Sequence, residues 1–316
     1  MINSYIALGY KCNHNCLNCP LSTFDRLHGQ LDTNIIKKNI TKLCSENDDL
    51  HVTISGGEPT LNPDFLDILK ILGKANAYIT ILSNATRCSD KKFVNRIIEN
   101  LGDNYDFKKF RYITAIHSFN EKVHDRLTGS YGSYIETMKG LENLDNKNIQ
   151  VTIKNIMNKI TAKDMKKTLD YLCNYFSNNI DIELCATDYS GRCHKNIDEL
   201  YISFTDLQPY VEDSLDSYEK NKNNCGRNLE IIETPLCLVD PYYWKYYKIN
   251  KNKKITYIAP NNETIDNISE NINSNCNTNY EECQSCDVKN FCSGVWKSTY
   301  ELEANKEKIL RKVKTF

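Results

Sequence analysis

The sequence has 316 residues, enough for one large α/β domain with a small additional unit. Hydrophobic residues make up 40% and charged residues 26% of it, which excludes an intrinsically disordered chain. The net charge of −1 comes without a basic patch of the kind that binds nucleic acid, which disfavours a nucleic-acid partner. With no signal peptide and no apolar segment of membrane-spanning length, we expect a cytoplasmic protein without a membrane partner.

The first predicted element is a strand over 4–9, which leads into a loop with three cysteines. Cys12, Cys16 and Cys19 follow a C-x3-C-x2-C spacing, and in a reducing compartment clustered cysteines indicate metal ligands. Three thiolates this close can bind three irons of a 4Fe–4S cluster and leave one iron open for a small molecule. The alternative is a zinc site with His14 as fourth ligand, but its position between Cys12 and Cys16 makes a tetrahedral geometry awkward.

Strands and helices then alternate as far as residue 186, in units of about 30 residues. Six strands are predicted, at 4–9, 50–55, 78–83, 111–117, 149–157 and 180–186. The helices between them are predicted at 33–46, from an Asn62 cap to at least residue 72, 90–101, 132–144 and 163–176. Six parallel units are too few for a closed eight-stranded barrel. We therefore predict a partial (β/α)6 barrel whose active site lies at the C-terminal strand ends.

The pattern changes after residue 187. We predict a helix over 203–220, a polar linker over 216–228, short β-prone runs over 229–258 and a terminal helix over 297–313. The chain would accordingly consist of a barrel domain at 1–200, a helix and linker at 201–228, and a small cysteine-rich extension at 229–316.

The segment 55–60, Ser-Gly-Gly-Glu-Pro-Thr, follows the second predicted strand. Two glycines let the backbone approach a ligand closely, and the helix that follows directs its amide end toward the same place. Alone, the segment would be an ordinary Gly-Gly turn. Its position at the strand end next to the three-cysteine loop makes it specific.

These two motifs resemble those of the radical S-adenosylmethionine superfamily, and the resemblance covers residues 4–190. It implies that the open iron of the 4Fe–4S cluster chelates S-adenosylmethionine. It also implies contacts with this cofactor from residues after the strands, namely Gly56, Gly57, Glu58, Pro59, Ser83, Asn84 and Ser118. One electron, supplied by a donor such as flavodoxin or ferredoxin, would then yield a 5′-deoxyadenosyl radical that abstracts hydrogen from a substrate.

Two other segments bear on this resemblance. The family usually has an aromatic residue beside the adenine where this chain has Asn18, which is a departure from the pattern. The segment 124–134 resembles the loop and helix of the peptide-modifying branch.

Cysteines cluster again near the end of the sequence, where Cys283, Cys286 and Cys292 follow a C-x2-C-x5-C spacing. The spacing alone leaves a zinc site and an iron–sulfur site equally open. Beside the first motif it resembles the SPASM or twitch extension, which implies one auxiliary 4Fe–4S cluster. For the fourth ligand Cys237 is favoured because a proline fixes the nearby backbone, and Cys276, in an Asn-rich run, is the alternative.

Three further cysteines, Cys185, Cys193 and Cys225, are candidate hydrogen donors to a substrate radical. The alternative is that they are small buried apolar residues.

The resemblance favours a ribosomally made peptide as substrate, on which the enzyme would form a crosslink or thioether or epimerise a residue. Because residues 1–3 leave no room for a leader-binding domain, we expect a separate partner protein or the C-terminal region to capture the peptide. Two alternatives stay open: radical oxidation or rearrangement of a small metabolite, and a non-catalytic metal-cluster scaffold.

Overall fold

The alternating elements form one curved sheet with helices packed on its outer face. The computed structural model describes residues 2–21, 32–176, 179–225, 227–248, 255–258, 264–265, 276–305 and 313. The strands are β1 Ile2–Ala7, β2 Leu50–Ser55, β3 Tyr78–Leu82, β4 Phe110–Ala115, β5 Gln150–Met157, β6 Ile180–Ala186, β7 Leu229–Ile232, β8 Ile255–Ile258, β9 Thr264–Ile265, β10 Cys276–Asn277 and β11 Val295–Trp296.

The described helices follow the strands in turn. They are α1 Thr33–Glu46, α2 Phe65–Lys74, α3 Lys91–Leu101, α4 Glu121–Thr128, α5 Ser133–Asp145, α6 Met165–Tyr175, α7 Gly191–Lys195, α8 Ile197–Leu200, α9 Phe204–Cys225, α10 Glu281–Gln284 and α11 Lys297–Asn305. Short 3-10 helices lie at Pro59–Leu61, Thr86–Ser89, Phe107–Lys109, Ala162–Asp164, Leu236–Leu238, Pro241–Tyr246 and Lys289–Phe291.

The main sheet has the strand order β7-β6-β5-β4-β3-β2-β1-β8-β9. Strands β1 to β8 run parallel, and β9 is antiparallel to β8. The predicted fold class is confirmed: this is an α/β partial barrel with a cysteine-containing C-terminal region. All C-terminal ends of the parallel strands meet at one edge, which is where a barrel of this kind carries its site.

Apolar side chains on the outer face of the sheet pack against the helices. Ile6, Ile54 and Ile81 hold the same register position on β1, β2 and β3 and are fully buried. They share one core with Phe65 and Leu69 of α2. Each such side chain contributes about 1.5–3 kcal/mol by leaving water, so this face fixes the register of the strands.

The inner face of the sheet is polar. Because side chains alternate along a strand, Lys154 of β5 is on the inner face of the sheet, whereas its neighbour Ile153 is on the outer face and belongs to the core. Lys154 is 3.9 Å from Glu183 of β6, and Arg111 of β4 is 3.6 Å from Asp181 of β6. The interior of the barrel is therefore lined with charge on its β4–β6 side.

Two local predictions were wrong. The second helix begins at Phe65, three residues after the predicted Asn62 cap. The Asn62 side chain accepts the Asp64 N–H at 2.9 Å and donates to the Leu8 carbonyl at 2.9 Å, so it caps the turn that precedes the helix. The segment 216–228 is helical as far as Cys225, although its polar composition suggested a linker. One side of α9 is buried, and Ser217 donates to Asp170 of α6 at 2.8 Å, so the polar residues form the exposed face of a packed helix.

Strands β7 and β8 lie within the part predicted as a separate extension, yet they join the two ends of the barrel sheet. β7 pairs with β6, and β8 pairs with β1. The division at residue 229 stays a prediction. Through β7 and β8, residues of the predicted extension are part of the barrel sheet.

Candidate active site

The three-cysteine loop follows β1 and is held on one side by the end of α4. Cys12, Cys16 and Cys19 are half-buried. The backbone N–H of Asn15 donates to the carbonyl of Thr128 at 2.8 Å. Backbone hydrogen bonds of this kind fix the part of the chain that carries the three thiols.

The other side of the loop rests on α7. The carbonyl of Cys19 accepts the backbone N–H groups of Arg192 and Cys193, both at 3.1 Å. A Cβ at Gly191 would lie 2.0 Å from the Pro20 carbonyl oxygen, so glycine is needed for this approach. The sequence analysis had not identified α7 as a support of the loop.

The Gly-Gly segment after β2 packs directly on the cysteine loop. Gly57 N–H donates to the Gly9 carbonyl and Glu58 N–H to the Lys11 carbonyl, each at 2.8 Å. A Cβ at Gly57 would lie 2.3 Å from the Tyr10 carbonyl oxygen. The missing side chain therefore allows the two motifs to touch, whereas the sequence had suggested only the close approach of a ligand.

Glu58 joins the ends of β2 and β3 through its carboxylate. Oε1 accepts the Thr60 hydroxyl at 2.6 Å and the Ser83 hydroxyl at 2.8 Å, and Oε2 accepts the Asn84 N–H at 2.7 Å. The side chain is 3% exposed, and burial raises its pKa although these hydrogen bonds oppose the change. Within the described residues no Lys or Arg forms an ion pair with it. A buried carboxylate surrounded by neutral donors is suited to an ammonium group.

Asn84 also ties β3 to the cysteine loop, since its Nδ2 donates to Asn13 Oδ1 at 2.8 Å. Ser118 is not brought to this group: it is fully buried, and its hydroxyl donates to Asp164 at 3.0 Å. Asn18, where the sequence departs from the expected aromatic residue, is buried within the loop.

The segment 124–134 supports the loop from α4 and α5. Both oxygens of Asp125 act as caps, accepting the N–H of Gly132 at 2.6 Å and of Tyr134 at 2.8 Å. Gly129 has φ +59°, and a Cβ there would lie 2.5 Å from the Asn15 carbonyl oxygen. The segment thus shapes the turn on which the cysteine loop lies.

Two buried histidines lie behind this turn. The N–H of His117 donates to Nδ1 of His124 at 3.3 Å, and their ring centroids are 5.4 Å apart. Burial lowers the pKa of His117 to about 4 and that of His124 well below its usual value, so both are neutral at pH 7.

A model of the radical SAM superfamily matches residues 6–172, more than half of the chain. The chain belongs to the radical SAM superfamily. It is a radical SAM enzyme, and a 4Fe–4S cluster and S-adenosylmethionine are its cofactors.

Curated relatives match about half of this radical SAM enzyme. The AdoMet-dependent heme synthase of Methanosarcina barkeri is 26% identical over 160 residues, which are 50% of this chain and 43% of that protein. The subtilosin biosynthesis protein AlbA of Bacillus subtilis is 26% identical over 158 residues, 48% of this chain and 32% of that protein. The chain thus spans less than half the length of either relative.

Solved structures show the same fold. SuiB of Streptococcus suis with bound S-adenosylmethionine has a TM-score of 0.62 at 14% identity and covers 96% of this chain and 75% of its own. Native anSMEcpe with bound AdoMet has a TM-score of 0.62 at 15% identity, with 96% and 95% covered.

Four cysteines of the C-terminal part line one cavity of the enzyme. They are the four predicted ligands of an auxiliary cluster, Cys237, Cys283, Cys286 and Cys292. The cavity encloses about 370 Å³ of empty space, including its open mouth. Sγ of Cys292 accepts the backbone N–H groups of Leu236 at 3.4 Å and Gly294 at 3.3 Å. Such N–H···S bonds stabilise a thiolate.

These thiols hinder one another's ionisation. Burial, together with the neighbouring Cys292 and Cys286, raises the pKa of Cys283 to about 11. Burial also raises the pKa of Cys292, against its two N–H donors. A bound metal centre would supply the positive charge that four thiolates need, so the donor set fits such a group. No three His, Cys, Asp or Glu side chains in the described ranges are arranged to hold a single metal ion.

The surroundings of the cavity account for the aromatic segment at 241–246. Trp244 Nε1 donates to the Leu236 carbonyl at 3.0 Å, and the Tyr247 hydroxyl donates to the Pro235 carbonyl at 3.1 Å. Both bonds fix the turn that carries Cys237. The side chain of Cys276 lies outside the described residues, although its backbone pairs with Trp296.

The candidate hydrogen donors differ in position. Cys193 is fully buried in a small apolar cluster with Leu127 and Tyr189. Cys185 is near the end of β6, and its thiol lies 3.0 Å from Oε2 of Glu233. The side chain of Cys225 is outside the described residues. None of the helices among the described residues is both long enough and apolar enough to span a membrane.

Proposed function

We propose that Cys12, Cys16 and Cys19 hold the radical SAM cluster of this enzyme. Support comes from their loop, which backbone hydrogen bonds fix against the Gly-Gly segment, α4 and α7. A loop fixed in this way loses little conformational entropy when it binds metal. When bound, the cluster and S-adenosylmethionine supply a 5′-deoxyadenosyl radical that abstracts a hydrogen atom from the substrate.

Glu58 is proposed to bind the ammonium group of S-adenosylmethionine, with Gly56, Gly57 and Pro59 providing the adjacent backbone. The observation that carries this assignment is the buried carboxylate of Glu58, whose described partners are all neutral donors. Ser83 and Asn84 would hold the carboxylate in place. We leave Ser118 out of this site because its hydroxyl is engaged with Asp164.

An auxiliary 4Fe–4S cluster is proposed at Cys237, Cys283, Cys286 and Cys292, with Cys276 as the alternative to Cys237. The shared cavity and the two N–H donors to Cys292 support this set. These residues would belong to an extension at 229–316 that follows the barrel domain at 1–200 and the helix at 201–228.

The proposed substrate is a ribosomally made peptide that acquires a crosslink, a thioether or an epimerised residue. The second cysteine set supports it, as does similarity to AlbA, which is named for the biosynthesis of the bacteriocin subtilosin. Among the candidate hydrogen donors Cys185 suits this reaction best, since it lies near a strand end at the active-site edge. A low-potential donor such as flavodoxin or ferredoxin and a leader-binding partner would complete the system.

A small molecule is the second candidate substrate. It is favoured by the similarity to a heme synthase, which has the same 26% identity as AlbA. A non-catalytic scaffold is the third candidate, and it predicts no cleavage of S-adenosylmethionine.

Anaerobic reconstitution followed by dithionite reduction tests the reaction class. We expect a reduced-cluster EPR signal that changes when S-adenosylmethionine is added, and formation of 5′-deoxyadenosine. The Cys16→Ala variant should lose both, while Cys44→Ala, which alters a cysteine of α1, should keep both. No 5′-deoxyadenosine from iron-loaded wild type would refute the proposal and favour the scaffold.

Co-expression with short peptides encoded beside the gene tests the substrate class. We expect mass spectrometry to show a loss of hydrogen, or an epimerised residue after hydrolysis and chiral analysis, in one of these peptides. Active cleavage of S-adenosylmethionine with every neighbouring peptide unmodified would favour the small-molecule alternative.

A further inference from the structure

Five charged side chains gather on one wall of the barrel interior. Lys154, Glu183 and Glu230 hold the same register position on β5, β6 and β7. Glu233 directly follows β7, and Lys248 contacts Glu230 of β7. All five residues therefore belong to the side of the barrel formed by β5 to β7. Of the five, Glu183 is buried and the others are half-buried, and the packing of the sheet against its helices rests on apolar side chains of the other face.

The wall has more negative than positive charge. Besides the Arg111–Asp181 pair, three carboxylates face two ammonium groups. Lys248 is 2.6 Å from Glu230 and pairs with it, while Lys154 interacts electrostatically with both Glu183 and Glu233. Burial lowers the Lys154 pKa, but Glu233, Cys185 and Glu183 outweigh it and raise the pKa, so this lysine remains charged.

Glu183 is the least satisfied of the carboxylates. Glu183 is only 5% exposed, and its Oε2 is buried with no hydrogen-bond partner among the described residues. The ammonium groups of Lys154 and Lys248 are each 3.9 Å away, beyond hydrogen-bond distance. A buried carboxylate without hydrogen bonds is costly, so a donor is expected to approach Oε2.

Glu233 is the second incompletely satisfied carboxylate. Among the described residues it accepts only the weak thiol donor of Cys185, at 3.0 Å. Its backbone has φ +49°, a left-handed conformation in which a glutamate is strained. Glycine or asparagine would adopt this conformation more easily, so the glutamate is retained at a cost in stability.

We propose that Glu183 and Glu233 bind a cationic group of the substrate, an alkylammonium or a guanidinium. The proposal rests on the proposed function, in which the substrate enters the barrel interior at the strand ends. A cation would supply the missing donors and neutralise the excess negative charge. An anionic group would face two carboxylates and is excluded from the same place. Lys154 competes with the ligand for both carboxylates.

Equilibrium binding of a matched probe pair tests this site. The probes are N-acetyl-arginine amide and N-acetyl-citrulline amide, which have nearly the same shape and differ in charge. Binding is measured anaerobically by titration calorimetry on iron-loaded enzyme with S-adenosylmethionine and without reductant. We expect the arginine probe to bind about tenfold or more tightly than the citrulline probe, because a charged hydrogen-bonding pair is formed.

Three variants at the site have distinct expected results. Glu183→Gln and Glu233→Gly should each remove most of the preference for arginine over citrulline. Lys154→Gln should increase it, because the competing ammonium is lost. Glu99→Gln removes the same charge from an exposed position on α3 and should leave the preference unchanged. Iron content and unfolding temperature show whether each variant is folded, and Glu233→Gly is expected to be at least as stable as wild type.

Equal binding of the two probes by wild type would overturn the proposal. A preference for arginine that persists in both Glu183→Gln and Glu233→Gly would also overturn it, since the cation would then bind elsewhere. Cleavage of S-adenosylmethionine is measured separately. If cleavage occurs without any cation preference, only this inference fails and the proposed function stands.

Discussion

The substitution Glu58→Gln probes the buried carboxylate that links the two motifs of the active site. An amide has one acceptor oxygen where the carboxylate has two. If that oxygen replaces Oε1, the amide nitrogen faces the Asn84 N–H at a position where the carboxylate accepts at 2.7 Å. Two donors then oppose each other and one buried N–H loses its partner, which costs about 1–3 kcal/mol of stability. The variant also loses the charge that we assign to binding an ammonium group.

Thr60→Val is the matched control for this substitution. It removes the hydroxyl that donates to Glu58 at 2.6 Å and leaves the carboxylate charge in place. We expect both variants to unfold at lower temperature than wild type. Only Glu58→Gln should weaken S-adenosylmethionine binding, by about tenfold or more, because a charge-assisted hydrogen bond is lost. Equilibrium dialysis of iron-loaded enzyme measures the affinity. Equal affinities for Glu58→Gln and wild type would refute the assigned role of the carboxylate.

Three other predictions concern metal content, pH and packing. Cys292→Ala should lower the iron content from about eight to about four per chain, because one of two 4Fe–4S clusters is lost. Cys44→Ala should leave the iron content unchanged. An unchanged iron content in Cys292→Ala would contradict the second cluster. His117 is buried with a pKa of about 4, below the unfolded value, so its contribution to stability is present above pH 6.5 and is lost as pH falls toward 4. Denaturant unfolding of the apo-protein should therefore show a decrease in stability between pH 7 and pH 5 to which His117 contributes about 2 kcal/mol, so the decrease in His117→Leu should be smaller by about that amount, and equal decreases would contradict the assignment. Gly57→Ala should reduce cluster retention in iron assays, because its Cβ would lie 2.3 Å from a loop carbonyl oxygen, and full retention would contradict the packing argument.

The barrel could be predicted from the sequence because each of its units is local. Strand β2 occupies the predicted residues 50–55, and α1 the predicted 33–46, since apolar periodicity and nearby turn residues define both. Strands β7 and β8 could not be placed in the same way. Each is short, and its partner, β6 or β1, is set by long-range pairing that leaves no signal in the local sequence.

The candidate site was predictable as a set of residues but not as a set of contacts. Cysteine spacing indicated Cys283, Cys286 and Cys292, and the proline beside Cys237 favoured it over Cys276 as the fourth thiol of the C-terminal cavity. Nothing in the spacing indicated that Leu236 and Gly294 would donate N–H groups to Cys292, because backbone donors carry no side-chain signature. The charged wall at Lys154 and Glu183 was also missed, since alternating polar residues in a strand are expected to face solvent.

The two N-terminal motifs depend on each other through Glu58. Its backbone N–H donates to the Lys11 carbonyl at 2.8 Å, at the start of the cysteine loop. Its carboxylate binds Asn84, whose side chain in turn donates to Asn13 within that loop. One residue therefore fixes the loop from the ends of two adjacent strands, β2 and β3. A side chain at Gly57, the residue before Glu58, would clash with the cysteine loop. The cysteine triplet and the Gly-Gly-Glu segment therefore form a single structural unit. Because these hydrogen bonds hold the backbone of the loop, the loop has less conformational entropy to lose when its three thiols bind metal.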